Sequence, residues 1–192
     1  MTREEFETPI WADVENRPSY IRRGQQVFNS VDAVYGVARM VQFEDGVDCF
    51  FDDGMIEPFL DAAYARYSKA KWLYRLESVD PENGLWYNLS GNYCFGIGRL
   101  ENCKTKDLPM GYDERYQKDG KQWFSSCSNA GDLAHWYSLE DAKELMENGF
   151  VFTRYLATDY NEYENQTCFL KETSIGRKVI QFDELEKLWK NI

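Results

Sequence analysis

The chain has 192 residues, 43% hydrophobic and 16% aromatic, which is enough to bury one core or two small ones and too apolar for a disordered segment. Its formal net charge of −11 disfavours binding to bare DNA, RNA or anionic lipid, because affinity for phosphates comes from Lys and Arg. The five cysteines form no Cys-x-x-Cys pair, so they read as reduced thiols rather than a disulfide framework or zinc ribbon.

Residues 1–21, with Pro9, Trp11 and Pro18 among polar residues, read as an irregular arm. Their acidic start does not resemble a signal peptide, and the chain has no 18-residue apolar run, so a soluble intracellular protein is expected. Val27, Phe28, Val31, Val34 and Tyr35 recur at helical spacing ahead of Gly36, which predicts a helix over 24–35. Val37 to Phe43 is β-prone, Glu44-Asp45-Gly46 is a turn signal, and Val47 to Phe50 follows; this predicts a hairpin with acids at its tip. Asp52-Asp53-Gly54 then opens a second helix, with Ile56, Phe59, Leu60, Ala63, Tyr64 and Tyr67 on one stripe.

Between Arg39 and Arg66 lie seven acids (Glu44, Asp45, Asp48, Asp52, Asp53, Glu57 and Asp61) and no base. Such carboxylates must face water, hold a cation or meet a basic partner, because unpaired buried charge is too costly. Two readings stay open. Asp52, Asp53 and Glu57 start a helix while the others decorate a turn, or the block, with Phe50 and Phe51 as apolar anchors, forms a partner-binding surface. An EF-hand does not fit, for the loop lacks alternating Asp/Asn ligands and the bidentate Glu. No metal site is expected.

After a break at Ser68-Lys69-Ala70-Lys71 the pattern becomes richer in strands. Trp72 to Glu77 alternates as a strand, Asp80-Pro81-Glu82-Asn83-Gly84 is a turn, Leu85-Trp86-Tyr87 a short strand, and 91–122 long polar loops. Ser138 with Asp141 caps a helix that ends at Gly149. Phe150–Ala157 and Gln166–Lys171 read as strands joined by a turn over Asp159–Asn165, and Leu185, Leu188 and Trp189 mark a closing helix. The expected class is α+β: an α-rich acidic unit over residues 1–69 packed with a mixed, mainly antiparallel α/β unit over 70–192.

Candidate chemistry is sparse. Cys127 with His135 invites comparison with a cysteine nucleophile and its base, although a single His among aromatics is more often structural. Cys94, Cys103, Cys127 and His135 match no compact zinc knuckle, and Gly96-Ile97-Gly98 lacks the rest of a dinucleotide fingerprint. Arg75 on a strand, then Ser126-Cys127-Ser128, then Glu162-Tyr163-Glu164 ahead of Gln166-Thr167-Cys168-Phe169 resemble, in that order, the Arg, Ser-x-Ser and Glu-x-Glu triplet of arginine-directed mono-ADP-ribosyltransferases. The resemblance implies NAD as cofactor, Arg75 anchoring it, Ser126 supporting the pocket and Glu164 stabilising a cationic transition state. Cys127 stands where the family usually has Thr, and the alternative is a strand Arg in an ion pair beside two turn glutamates.

A broader likeness covers more of the chain. Trp72-Leu73-Tyr74-Arg75-Leu76-Glu77, Gly84-Leu85-Trp86-Tyr87, Trp136-Tyr137-Ser138 and Asn148-Gly149-Phe150 resemble an uncharacterised family of phage and prophage accessory proteins. Arg23 through Phe50 resembles a module met in Firmicutes and their phages. That likeness implies action in the cytoplasm of a bacterial host. The leading expectation is an anti-CRISPR-like inhibitor whose acids, Glu44 to Asp61, compete with nucleic acid for a basic groove such as that of Cas9. A mono-ADP-ribosyltransferase-like enzyme and an accessory protein binding a host partner unrelated to defence are the alternatives.

Overall fold

A computed structural model describes residues 1–78, 84, 114–164 and 166–190. The protein is α+β, and the chain divides into two compact units, Met1–Ala70 and Lys71–Ile192. The turn and strand expected at residues 80–87, the loops before residue 114, Cys94, Cys103 and the Gly96–Gly98 segment lie outside the described residues, Gly84 excepted.

The first unit is helical: α1 (Arg3–Glu15), α2 (Arg23–Tyr35), α3 (Ala38–Phe43) and α4 (Ile56–Ser68). Helix α1 replaces the irregular arm expected there. Thr2 Oγ1 accepts from the Glu5 N–H at 3.2 Å while the Glu5 carboxylate accepts from the Thr2 N–H at 2.6 Å, a reciprocal capping box. Phe6, Ile10 and Val14, spaced by four, are buried. This start signal and stripe carry the helix through Pro9, which lacks the N–H for one backbone bond.

Helix α2 forms as expected, and Gly36 ends it with φ 69°, its N–H donating to Val31 and Asp32 carbonyls at 3.2 and 3.0 Å. Val34, placed on the stripe by spacing, is 47% exposed. The predicted hairpin does not form. Val37 takes helical angles, α3 buries Ala38 and Val41 on one side, and Val47 to Phe50 is not a strand. One-sided burial with period near 3.6 overrides the β-preference of a valine-rich run. The core of this unit stacks Phe6 on Tyr35 with centroids 4.2 Å apart and tilts Phe28 against Phe59 at 5.6 Å.

The second unit holds two three-stranded antiparallel sheets. In one, β1 (Lys71–Ser78) pairs with β3 (Phe150–Ala157), and β3 with β6 (Ser174–Ile180). In the other, β2 (Phe124–Ser126) and β4 (Tyr160–Glu162) flank β5 (Thr167–Phe169). The segment expected to be only a turn thus contains β4, tied back by the Tyr163 N–H donating to the Gln166 carbonyl at 2.8 Å. A bridge joins the sheets: Tyr74 and Cys127 exchange backbone hydrogen bonds of 2.9 and 2.7 Å. Helices α5 (Ala130–Trp136), α6 (Leu139–Glu147) and α7 (Phe182–Lys190) belong to the same unit. Ser138 caps α6 by accepting from the Asp141 N–H, as its spacing predicted. Leu133, Trp136, Leu145 and Leu185 from these helices share a core with Leu76, Phe152 and Ile180 of the first sheet.

Candidate functional site

The acidic block has partners within its own unit. Arg66, 6% exposed on α4, donates from Nη2 and Nε to Asp45 at 2.7 and 3.1 Å, and Glu44 lies 3.8 Å from Nη2. Arg3 of α1 bonds Asp61 at 2.7 Å. Asp53 accepts from the Gly24 N–H at 2.9 Å, Asp52 from the Gly54 N–H at 2.9 Å, and Asp48 from the Phe50 N–H at 2.7 Å and Gln42 at 3.0 Å. Arg22 donates to the Phe50 and Phe51 carbonyls. The absence of bases between Arg39 and Arg66 is therefore made good in large part by Arg3, Arg66 and backbone N–H groups. Exposed Glu57 and the exposed ring of Phe51 are the members of the set least engaged in these bonds.

The dispersed triplet, by contrast, is linked in part. Arg75 sits on β1, Ser126 ends β2, Glu162 ends β4, and exposed Glu164 lies in the turn between β4 and β5. The Tyr74–Cys127 bridge sets β1 beside β2, and β5 connects β2 to β4. Consequently Arg75 Nη1 donates to the Ser125 carbonyl at 2.6 Å. The buried Ser126 hydroxyl donates to the Thr167 carbonyl at 2.7 Å, locking β2 onto β5. Ser128 Oγ contacts Thr167 Oγ1 at 2.6 Å and donates to the Glu162 carboxylate at 3.3 Å, so the Ser-x-Ser and Glu-x-Glu segments touch. Glu162 also binds Lys71, and that bond, first among its causes, holds its carboxyl below the ordinary value.

Sequence reasoning missed the support beneath Arg75. Glu77, fully buried two residues along β1, accepts from Arg75 Nε at 3.1 Å, Tyr155 Oη at 2.6 Å and Arg177 Nη2 at 3.2 Å, and pairs with Lys171 Nζ at 2.7 Å. Burial alone would raise its pKa; Arg75, Lys171 and Tyr155 outweigh burial and lower it. The Arg75 guanidinium stacks 5.2 Å from the Phe124 centroid. The available signal was Arg-x-Glu on a strand, a spacing that sends both side chains to one face. Gln166 was missed as well: its Oε1 accepts from Tyr116 Oη at 3.0 Å and Ser125 Oγ at 2.6 Å.

Other candidates weaken. Burial pushes the Cys127 thiol up to about 12, far from a thiolate at neutral pH, while His135 is exposed with its ring edge-on to Trp136. Among the described residues no group of three or more His, Cys, Asp or Glu is placed to hold a metal ion, and no helix is long and apolar enough to cross a membrane. Comparison with known protein families, curated proteins and solved structures finds no match.

Proposed function

We propose that the second unit is a mono-ADP-ribosyltransferase-like enzyme that uses NAD to modify a host protein. One observation carries the reading: segments far apart in sequence are linked in a chain, with Arg75 of β1 bonding the Ser125 carbonyl of β2 and Ser128, just past β2, bonding Glu162 at the end of β4, while Glu164 lies in the turn that follows.

The chemistry of these side chains supports the reading. Arg75 is braced through Nε and Nη1, while Nη2 lies beside Gly84, where a Cβ would come within 3.2 Å. Glycine at that position lets the backbone pack close to the buried guanidinium, and a guanidinium fork is suited to an anionic group. NAD, when bound, supplies the ADP-ribosyl group and nicotinamide as leaving group. Ser126 acts through its strand lock and keeps β2 and β5 in register. Glu164, exposed and unburdened by a basic partner among the described residues, offers a negative charge to a developing cation.

The test is incubation of the purified chain with labelled NAD and bacterial extract. Covalent label or released nicotinamide is expected with the native chain, and both are lost in Glu164→Gln. A native chain that yields neither overturns the reading.

A second reading rests on the exposed Phe43 (78%) and Phe51 (69%) in the same unit as exposed Glu57 and Asp61. Here the first unit docks on a basic host protein, with a CRISPR effector nuclease as the specific candidate. It predicts salt-sensitive binding to a purified Cas9–guide complex that weakens in Phe51→Ala combined with Glu57→Lys. Absence of binding at low salt removes that candidate.

A further inference from the structure

The sheet of β1, β3 and β6 has a second face that the candidate site does not use. Strand alternation sends Leu73, Arg75 and Glu77 to one side and Trp72, Tyr74 and Leu76 to the other. On that other side the register sets Leu76, Phe152 and Ile180 in one row, Tyr74, Arg154 and Lys178 in the next, and Trp72, Leu156 and Gly176 in the last. The first row belongs to the core that α5, α6 and α7 share, whereas Trp72 in the last row is 36% exposed.

The middle row breaks a rule of sheet pairing. Arg154 and Lys178 are direct cross-strand partners, and like charges so placed repel. Lys178 is answered by Glu184 of α7, whose carboxylate oxygens accept from its Nζ at 3.0 and 3.2 Å. Arg154 is not answered: among the described residues no carboxylate pairs with it, and its buried Nε has no acceptor. What holds it is the Trp72 ring, whose centroid lies 4.6 Å from the guanidinium carbon. The indole in turn reaches across Leu156 toward β6, where a Cβ on Gly176 would stand 3.4 Å from its Cη2.

In a chain with a net charge of −11, acids to neutralise Arg154 are plentiful, yet none is placed there. A local rule broken without compensation inside the fold is where a functional site is expected. We infer that Arg154 and Lys178, with Trp72 as brace, bind an oxyanion, the phosphate or carboxylate group of a ligand. Stacking on the indole fixes the plane of the guanidinium, so little side-chain freedom is lost on binding. The guanidinium presents donors in a fork that matches two oxyanion oxygens, and the neighbouring ammonium adds a point charge. A phosphate dianion carries charge enough to face both cations, a carboxylate enough for one. The site lies on the opposite face of the sheet from Arg75 and Glu77, so it stands or falls independently of the transferase reading.

The test titrates the full chain with inorganic phosphate, and separately with acetate, at constant ionic strength made up with chloride, so that screening is held fixed. The Trp72 indole N–H and the Arg154 Nε–H are followed by NMR, the indole signal being identified by its loss in Trp72→Phe. Both resonances should shift saturably; tighter binding of phosphate identifies a phosphorylated ligand, and equal or tighter binding of acetate a carboxylate. Arg154→Gln should raise the Kd about tenfold or more, and Lys178→Gln about two- to fivefold. Arg154→Lys, which keeps the charge and loses the fork, should fall between the native chain and Arg154→Gln. No saturable shift with either anion, or a Kd that Arg154→Gln and Arg154→Lys leave unchanged, overturns the inference.

Discussion

At the scale of single residues, Glu77 is the most demanding position in the molecule. Its carboxylate has no exposure and is shared by Arg75, Lys171, Arg177 and Tyr155. Glu77→Gln keeps the shape and removes the charge, which should cost about 3–5 kcal/mol, because cations gathered round one buried carboxylate lose it together. The pH dependence has a definite sign. The folded pKa is lowered, so this stabilisation is fully present above the ordinary carboxylate value near 4.3 and is lost as pH falls through the lower folded value. The gap in denaturation midpoint between the native chain and Glu77→Gln should be full at pH 7 and narrow as pH falls below about 4; a gap that stays constant would refute the assignment. Gly24 is constrained sterically instead: a Cβ there would lie 2.1 Å from the Cys49 carbonyl oxygen, closer than any side chain tolerates. Gly24→Ala must move backbone against α2 and should cost about 1–3 kcal/mol in urea unfolding, as overpacking does.

At the scale of elements, the helices with a clear apolar stripe or with Ser138-type capping ahead of one were legible, while α1, interrupted by proline, and the short α3, which rests on tertiary burial, were not. The stripes of α2 and α4 predict them; α1 was hidden because Pro9, Trp11 and Pro18 among polar residues read as an irregular arm, although Thr2-x-x-Glu5 is its capping box. Pro9→Ala restores a backbone donor inside α1 and should raise the thermal midpoint by an amount equivalent to up to about 3 kcal/mol; a fall would mean that the ring's packing outweighs the missing bond. The acidic block teaches a related lesson. Its charges looked uncompensated because the bases that meet them, Arg3 and Arg66, lie on α1 and late in α4. Asp53→Lys would oppose its hydrogen bond to Gly24, and Asp48→Lys its bond to Phe50. Both reversals should therefore destabilise the first unit, by about 1–3 kcal/mol each, before any partner is added. Glu57→Lys should leave stability within about 0.5 kcal/mol and is the cleaner probe of a docking surface.

At the scale of the whole chain, what sequence could not supply was strand pairing. The order Arg75, Ser126, Glu162 and Glu164 was readable, but the links between their segments depend on the Tyr74–Cys127 bridge and on β5 lying between β2 and β4, pairings between residues far apart in the chain. The Glu77 cluster was invisible for the same reason, since Tyr155, Lys171 and Arg177 reach it from distant segments. Net charge was legible from the start, and its effect on stability follows from how the ion pairs are placed. Exposed pairs such as Lys187–Asp183 and Lys190–Glu186 contribute little and are screened by salt, whereas Arg75–Glu77 and Arg66–Asp45 have buried members that salt reaches poorly. The surplus of 11 negative charges repels itself across the surface and is screened readily. Raising salt from about 0.01 to about 0.15 M, where the screening length falls from roughly 30 to roughly 8 Å, should therefore raise the thermal midpoint. If the midpoint falls instead, exposed ion pairs outweigh self-repulsion, and the surface acids are better matched by this chain's own bases than its net charge implies.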